Sequence, residues 1–459
     1  MANETVSIPD NLAAKAQEKG WPLDLVQQAL AAGAGADQII GYMDQGVTPE
    51  QARGYLAQMP AQAATSGVEP SAEIVAKAEE KGWPLDLVKQ ALTMGAAEAD
   101  LMNYMDMGVT AEQAAQFMAQ GGPQQQVDLS WMDVPTEWGT RGRPTKHGLT
   151  LEAINIGKYG DIPDVWPFQT EMPRGAIPIP GVEGMGYSIF EKQEVWSDAC
   201  AALYEEAIQR RWRPATDVPW DSIEPLPEDL ERAIDQVCTY FSEKAQMEAD
   251  VLGRWEPEIS YGYHEVKLYL ATVIFEDARA VEVFRKRALS NGGGLGVQAP
   301  GWSFRSAVDA RNFTEMIAVQ MCLQDSLTLS EYAFCEMYAK NPAEQFIFGR
   351  CLQDKARHLN YAFSHLKYVL LHRPDRREEL QRYFDKAEFS QETEDRKDNA
   401  TRPAFAIYFG GGKDQSEAGL AAYRQMRAHF VRRYLERLKW ATLDRAERMN
   451  SGLRASSES

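Results

Sequence analysis

Hydrophobic residues recur at helical spacing along most of this 459-residue chain. Four stretches in its second half far exceed an average helix and are joined by short connections: 227–255, 259–289, 311–339 and 342–371. Because short connections force consecutive helices to lie antiparallel, the pattern predicts a mainly α fold built on a four-helix bundle. Extra helices are predicted from Ser197, before the bundle, and from about Gln415 to Arg448. Between them, the charged stretch SQETEDRKDNATR from Ser390 predicts a mobile connection.

The first 122 residues contain a tandem repeat. Two pairs of matching segments each lie 62 residues apart: KGWPLDLVQQAL from Lys19 with KGWPLDLVKQAL from Lys81, and GVTPEQA from Gly46 with GVTAEQA from Gly108. The copies therefore keep register without an insertion. Gly and Pro punctuate short helical runs, which predicts two small all-helical modules, residues 1–60 and 61–122.

Neither repeat copy has titratable residues spaced to converge on one point. A helical spacer and a pair of docking modules for a partner protein both fit this pattern, since duplication raises avidity through effective concentration. The stretch 123–195 starts with a Gln-, Ala- and Gly-rich linker and continues rich in Pro, Gly and Trp, which predicts an extended arm that wraps a surface. The helical bundle and a C-terminal amphipathic helix are predicted in 196–459.

Composition narrows the class of protein. Apolar and charged residues make up 44% and 25% of the chain, as in soluble globular proteins, and the formal charge of -19 disfavours a nucleic-acid partner. The basic segment RQMRAHFVRRYLERLKW alternates charged with apolar residues and is interpreted as a solvated helix face. No apolar run is long enough for a membrane span or a signal peptide. Five cysteines without CxxC spacing indicate reduced, buried thiols, and the expected location is cytoplasmic.

Two segments in the predicted bundle look like edited copies of one another. They read FEDARAVEVF, from Phe275, and LQDKARHLNYAF, from Leu352. Alignment on their Ala-Arg dipeptides gives three pairs: Asp277 with Lys355, Arg279 with Arg357, and Ala280 with His358. In a bundle that binds two metals, each of two helices presents a carboxylate here and a histidine one turn later. In this chain one segment has the carboxylate and the other has the histidine.

Three segments carry a resemblance to a known family: RWRPATDVPWDSIEPLPEDLERAIDQVCTYFSEKAQ, YGYHEVKLYLATVIFEDARAVEVFRKRAL and QDKARHLNYAFSHL. In this order they resemble a bacterial ferritin-like family related to the carboxylate di-iron oxygenases and to the small subunit of ribonucleotide reductase. The resemblance covers roughly residues 195–375 and excludes the repeats. It implies a ferritin-like bundle with glutamate on the first helix, Glu-x-x-His on the second and fourth, and a carboxylate on the third. In the family, carboxylates bridge two ferrous ions and each histidine fills one iron.

The family pattern, carried over position by position, divides six expected ligands into two groups. Three can still bind a metal: Asp277, Asp325 and His358. Three positions are replaced: Ala245, Ala280 and Lys355. Since a lysine amine is cationic and only a donor at neutral pH, we predict that Lys355 is a surrogate cation, salt-bridged to Asp277 or Asp325 inside the bundle. No cofactor is favoured in this interpretation.

A competing interpretation keeps a single iron or manganese ion. Its ligands would be Asp277, Asp325, His358 and Glu248, and it needs a register shift that brings Glu248 inward, since Glu248 lies three residues beyond Ala245. Otherwise three glutamates are predicted on exposed helix surface: Glu243, Glu248 and Glu276. Glu276 would then form an ordinary i,i+3 ion pair with Arg279.

Three functions remain open at this point. The favoured one is a ferritin-like structural or docking subunit that assembles with a partner protein through its repeats, such as a catalytic paralogue, with a homodimer through the bundle as a further option. The second is an oxygenase-type oxidoreductase with a single-metal or metal-free site. The third is a small-molecule binding protein that uses the bundle cavity. Whether the protein is an enzyme stays open in this prediction.

Overall fold

The computed structural model describes residues 8–31, 36–44, 47–49, 52–53, 69–93, 96–119, 129–134 and 139–458. The chain divides into two units: Met1–Thr136 with Ile179–Gly181, and Glu137–Pro178 with Val182–Ser459. Helices dominate both, and within the described ranges extended pairing is limited to three isolated β-bridges. The predicted mainly α fold class is therefore confirmed. No helix in the described ranges combines the length and hydrophobicity that a membrane span requires.

Unit 1 contains short helices of nine or ten residues: α1 (Asp10–Glu18), α2 (Leu23–Ala31), α3 (Ala36–Asp44), α4 (Ala72–Lys81), α5 (Leu85–Thr93), α6 (Glu98–Asp106) and α7 (Ala111–Ala119). Local signals explain the ends of α4. The Ser71 hydroxyl accepts the Ile74 amide at its start, and Gly82 ends it in the left-handed conformation, with φ at +71°.

The two repeat copies bury equivalent residues, 62 positions apart in the sequence. Pairs include Leu12 with Ile74, Ala16 with Ala78, Val26 with Val88, Ile39 with Leu101, and Met43 with Met105. The tryptophan of each copy donates its indole N–H to the equivalent backbone carbonyl. Trp21 donates to Val47 at 3.1 Å, and Trp83 donates to Val109 at 3.0 Å. A nine-residue helix cannot stabilise itself, so each tryptophan holds its short helices together.

Unit 2 begins with an irregular segment that lies against the helices. It contains the one-turn helix α8 (Leu151–Ile154). Arg174 of this segment is 6% exposed, and its Nη1 atom lies 2.9 Å from both the Gly262 carbonyl and Glu265 Oε2. Gly262 also permits close packing, since a Cβ there would lie 2.4 Å from the Trp166 ring. The arm residues are thus fixed at the start of a long helix.

The remaining helices of unit 2 include the four that were predicted to form the bundle. In chain order they are α9 (Cys200–Gln209), α10 (Glu228–Trp255), α11 (His264–Leu289), α12 (Trp302–Val308), α13 (residues 313–337), α14 (Pro342–His372), α15 (Arg377–Lys397), α16 (Thr401–Gly410), α17 (Ser416–Trp440) and α18 (Ser451–Glu458). The long helices α10, α11, α13 and α14 pack as the predicted four-helix bundle. Their ends lie within a few residues of the predicted ones.

End signals in the sequence account for the longest helices. Three acidic residues in the first turn of α10 complement the helix dipole: Glu228, Asp229 and Glu231. Asn341 caps α14 by accepting the Glu344 amide, and Pro342 occupies its first turn. The helix α13 is interrupted by a π-helical segment, Ile317–Gln324, which precedes Asp325. Such segments are rare and frequently mark functional sites.

The predicted mobile connection at residues 390–402 is wrong. Most of this stretch belongs to α15 and α16. Glu394 is 6% exposed and accepts the amides of Gly301 and Ser303 at 3.1 and 3.0 Å, so it caps the start of α12. Glu394, one of the charges that suggested mobility in the sequence, is therefore a hydrogen-bond acceptor between helices.

Candidate functional site

A layer of charged residues separates two apolar clusters inside the bundle. On α10, the residues up to Ala245 belong to one cluster and those from Val251 onward to the other. The same change of cluster occurs between Val273 and Ala280 on α11, and between residues 351 and 359 on α14. The charged layer occupies these gaps at mid-height, where every helix can contribute a side chain to the same place.

The centre of this layer is the ammonium group of Lys355 on α14. Its Nζ atom lies 2.6 Å from Glu248 Oε2, 2.9 Å from Asp277 Oδ1 and 3.0 Å from Asp325 Oδ1. The three carboxylates come from α10, α11 and α13, and all four side chains are at most 3% exposed. Because an ammonium group has three N–H donors, one donor is available for each carboxylate.

The pKa shifts in this cluster reflect burial among like and unlike charges. Burial alone would lower the pKa of Lys355, but its three carboxylate neighbours hold that pKa well above its ordinary value, so the lysine stays cationic. Burial raises the pKa of Asp277 to about 7, against the opposing effect of Lys355. Burial also raises the pKa of Asp325 well above its ordinary value. The aspartates therefore hold protons more readily than exposed ones do, which reduces the excess negative charge around the lysine.

His358 lies one turn along α14 from the lysine. Its Nε2 atom is 2.9 Å from Glu276 Oε2, while Nδ1 is 3.9 Å from both Asp277 Oδ1 and Asp325 Oδ2. Burial, then the charge of Lys355, lowers the pKa of His358 well below its ordinary value, so the ring is neutral. We assign the ring proton to Nε2 because a carboxylate accepts it there. The lone pair of Nδ1 then faces the cluster and has no hydrogen-bond partner among the described residues.

A second group of ion pairs surrounds the inner cluster. Arg357 on α14 bonds Glu276 on α11, and Arg279 on α11 bonds Asp354 on α14 with an Nη2–Oδ2 distance of 2.6 Å. Arg357 also bonds Asp354. The Trp212 indole N–H donates to Asp354 at 3.1 Å. The Arg279 guanidinium lies 4.7 Å from the centre of the Trp212 ring. These four charges, which we call the outer ring, occupy aligned positions of the two paired segments.

The structure corrects the predicted exposure of two glutamates. Glu276 is 3% exposed and Glu248 is 1% exposed. The Arg279 Nη2 and Glu276 Oε1 atoms are 3.8 Å apart, and each residue has a nearer partner on α14. Arg279 bonds Asp354 and Glu276 bonds His358, so Glu276 and Arg279 do not form an ordinary surface pair. Glu248 needs no register shift, because its position three residues after Ala245 already places it on the inward face of α10. Glu243, also predicted exposed, is partly buried and accepts the Ala299 amide at 2.8 Å.

The residues predicted to form the site therefore meet at one place. Asp277, Asp325 and Glu248 surround the ammonium group of Lys355, and His358 lies beside the two aspartates. Glu248 as a partner of the lysine, and Glu276 as a partner of the histidine, were missed from the sequence. The signal for Glu248 is its helical spacing from Ala245. Glu276 gives no such signal, since only the packing of α11 on α14 brings it to His358.

The residues present do not fit the dimetal centre that the resemblance implies. Ala245 and Ala280 are buried methyl groups in an apolar cluster, and the Lys355 ammonium occupies the space between the carboxylates. Across the described ranges, no group of three or more His, Cys, Asp and Glu side chains is arranged to hold a metal ion. A protonated amine cannot act as a ligand, because it has no free electron pair.

Comparisons with known proteins give a likeness in part of the chain. No protein-family model and no curated protein matches it. A solved structure titled "R2-like ligand-binding oxidase without metal cofactor" is 17% identical, with a TM-score of 0.38, over 52% of this chain and 94% of that one. A mutant of that oxidase with an anaerobically reconstituted Mn/Fe cofactor is 18% identical, with a TM-score of 0.40, over 53% and 94%. Another, with an aerobically reconstituted Fe/Fe cofactor, is 17% identical, with a TM-score of 0.40, over 53% and 93%. These values are too low to transfer a cofactor or a reaction.

Proposed function

We propose that this protein is a ferritin-like bundle with a degenerate dimetal site, in which Lys355 replaces the metals, and that it serves as a non-catalytic structural or docking subunit. One observation carries the proposal. The Lys355 Nζ atom lies within 3.0 Å of carboxylates from three different helices. A single covalently attached cation thus occupies the point where those helices converge.

The physical argument starts from the cost of buried charge. Carboxylates out of water are strongly destabilising unless a cation or a proton compensates them. In a metal-binding bundle the ions supply that charge. Here the lysine supplies it as soon as the chain folds, and the raised pKa values of Asp277 and Asp325 reduce what remains. A metal ion would have to displace the ammonium group from all three partners before it could bind.

The same exchange removes the chemical basis for oxygen activation. A lysine has no accessible change of oxidation state and offers no open coordination position, both of which a metal supplies in this kind of bundle. The fixed charge keeps the helices together, which suits a subunit with a structural role. The two repeat copies, each held by one tryptophan, are the segments that we assign to docking.

Elemental analysis tests the first half of the proposal. The full chain is loaded with iron and with manganese, aerobically and anaerobically, desalted and measured by inductively coupled plasma mass spectrometry. We expect far less than one equivalent per chain and no dioxygen consumption. Two equivalents would overturn the proposal. The matched positive control restores the replaced positions: Ala245→Glu, Ala280→His and Lys355→Glu. This triple variant should gain metal under the same loading.

Affinity purification tests the docking half. A tagged full chain is compared with a variant that lacks residues 1–122, and captured proteins are identified by mass spectrometry. We expect a captured protein that has two Glu-x-x-His motifs and is lost with the repeats. A full chain that purifies alone, or whose captured protein is retained without residues 1–122, would contradict a docking role for the repeats.

A further inference from the structure

We infer that one face of α17 binds an acidic segment of a partner protein. The partner would contribute carboxylates and one apolar side chain. The face consists of His429, Arg433, Arg437 and Trp440, which we call the basic stripe. It belongs to the segment RQMRAHFVRRYLERLKW, which the sequence suggested to be an ordinary solvated surface. The inference rests on α17 and its neighbours alone and does not depend on the role of Lys355.

The stripe is continuous because its members are spaced by three or four residues along α17. It extends about 16 Å along the helix axis. Beside it, the helix buries its apolar side against the bundle, with Met426, Phe430, Tyr434 and Leu438 at 0% exposure. The stripe itself stays accessible, since Arg433 has a side chain that is 52% exposed and Trp440 is 54% exposed. A ligand can therefore reach Arg433 and Trp440 without any opening of the core, and Arg437 between them is partly exposed.

Arg437 gives the main reason to expect an anion. Its Nη1 atom is buried and has no hydrogen-bond partner, and no carboxylate in the described part of the chain lies within 4.0 Å of its guanidinium. Burial, then the charge of Arg433, lowers the pKa of Arg437 to about 10. A guanidinium withdrawn from water normally pairs with a carboxylate or phosphate. The chain has 67 acidic and 48 basic residues, so acids are not scarce, yet none in the described ranges forms an ion pair with Arg437.

Arg433 supplies the second positive charge of the stripe, and His429 contributes none at neutral pH. The imidazole of His429 has a lowered pKa because it is partly buried and because Arg432, Arg433 and Arg437 are close. Its Nδ1 atom lies 3.3 Å from the Ser330 hydroxyl. One acid is present, since Glu436 bonds Arg433 at 2.8 Å. That single carboxylate leaves the stripe positive overall, in a chain whose formal charge is -19.

The shape of the stripe favours a peptide over a small anion. Its two arginines lie one helical turn apart and Trp440 follows in the next turn, so two carboxylates at matching spacing would bind together. Trp440 ends the stripe with an accessible ring, and Lys367 Nζ lies 4.2 Å from the centre of that ring. An apolar side chain on the partner would cover this ring while its carboxylates bind the arginines. The net negative charge of the chain argues against a nucleic acid.

Fluorescence anisotropy on the full chain tests the proposal with a short fluorescein-labelled peptide, rich in glutamate with a single leucine. We expect binding that weakens in about 0.3 M salt. Arg437→Gln should weaken it by about tenfold, and Arg433→Gln should also weaken it. Arg424→Gln removes an equal charge from another side of α17 and should change affinity by less than about twofold. Equal affinities of the Arg437 and Arg424 variants would overturn the proposal.

Two further measurements distinguish a peptide site from a small oxyanion site and from a purely structural arginine. Inorganic phosphate should compete only weakly, and full displacement of the peptide at millimolar phosphate would replace the proposal with a small oxyanion site. Arg437→Gln should melt at the same temperature as the unaltered chain or higher, because it removes no ion pair. A lower melting temperature with unchanged peptide affinity would assign Arg437 a structural role and overturn the proposal. The metal content of these variants reports separately on the proposed function.

Discussion

Two aligned segments, residues 276–280 on α11 and 354–358 on α14, match in their outer ion pairs and differ at their inner positions. At the outer ring, each helix supplies one acid and one arginine, and each arginine bonds the acid of the other helix. At the inner positions, Asp277 and Ala280 of the first segment are aligned with Lys355 and His358 of the second. The difference shows that charge pairing and site chemistry are separable within a few residues of one helix.

Charge compensation explains why the two sets behave differently. The outer ring holds two acids and two arginines, so it is neutral without help from the centre. The inner cluster has three carboxylates and requires a cation from outside those three side chains. A metal and a lysine are alternative solutions to the same electrostatic requirement.

The largest effect is expected from removal of the inner cation. Lys355→Met keeps most of the side-chain volume but leaves three buried carboxylates without a positive charge, so the free energy of unfolding should fall by about 3–5 kcal/mol at neutral pH. The loss should shrink as pH falls, because protonated carboxylates need no cation. Urea unfolding at several pH values measures it. Lys367→Met removes a partly exposed cation from the same helix and should cost less than about 1 kcal/mol. Equal losses in both variants would contradict a central role for Lys355.

A substitution of Lys355 by a smaller side chain tests whether the lysine excludes metal ions. Lys355→Ala leaves space between Glu248, Asp277 and Asp325, with His358 beside them. Manganese ions should then raise the melting temperature of this variant in a concentration-dependent way, and should leave the unaltered chain unaffected. Magnesium at the same concentration serves as the control for general ionic effects. An equal response of both proteins to manganese would show that the ion binds elsewhere.

The outer ring should show matched coupling energies if its two halves are equivalent. A double-mutant cycle with Glu276→Gln and Arg357→Met is compared with a cycle of Asp354→Asn and Arg279→Met. We expect coupling energies of about 1–3 kcal/mol in both, since each pair is buried and joins the same two helices. Chemical denaturation provides the seven free energies, because the unaltered chain is common to both cycles. Coupling in one cycle and none in the other would contradict the symmetric arrangement of charges.

His365 on α14 should make the stability of the protein depend on pH. His365 is fully buried between the Trp196 carbonyl, 3.0 Å from Nδ1, and the Thr314 hydroxyl, 3.2 Å from Nε2. Burial lowers its pKa to about 4 from an ordinary 6.5, so between these values the unfolded chain binds a proton that the folded chain does not. Its contribution to stability is complete above pH 6.5 and is lost as pH falls to about 4, by up to about 3 kcal/mol.

His365→Gln should therefore reduce the fall in unfolding free energy over that interval. Because His358 is present in both proteins, the difference between their curves isolates His365. Asn360→Gln, an exposed change on the same helix, should follow the unaltered chain at every pH. Parallel curves for His365→Gln and the unaltered chain would contradict a depressed pKa for this histidine.

The smallest effects are expected in the repeat copies, where the two halves remain alike. Trp21→Phe and Trp83→Phe each remove an indole N–H from a carbonyl 26 residues away, at a cost of about 1–2 kcal/mol. Hydrogen exchange of segments 8–31 and 69–93 should accelerate by similar factors, each only in its own copy. Trp131→Phe is the control, because that ring is 67% exposed. Strongly unequal effects would contradict equivalent cores.

Much of the bundle could be predicted from hydrophobic spacing. The pattern predicts α14 almost to the residue, since Asn341 and Pro342 mark its start in the sequence. The candidate site was also largely predictable, because helical spacing and the resemblance together indicate Asp277, Asp325, Lys355 and His358. The helical structure of the charged stretch at the end of α15 was not predictable. Its Glu394 accepts hydrogen bonds from amides at the start of another helix, which the sequence of the stretch does not show.

Sequence alone determined which residue types lie opposite one another in the two paired segments, and so established that a lysine stands where a carboxylate is expected. Tertiary structure alone decided which partners that lysine has. Its ammonium group contacts three carboxylates at once, and Glu276 turns to His358 instead of to solvent. The physical reason is that burial and ion pairing depend on how four helices pack, while helical spacing describes only one helix at a time.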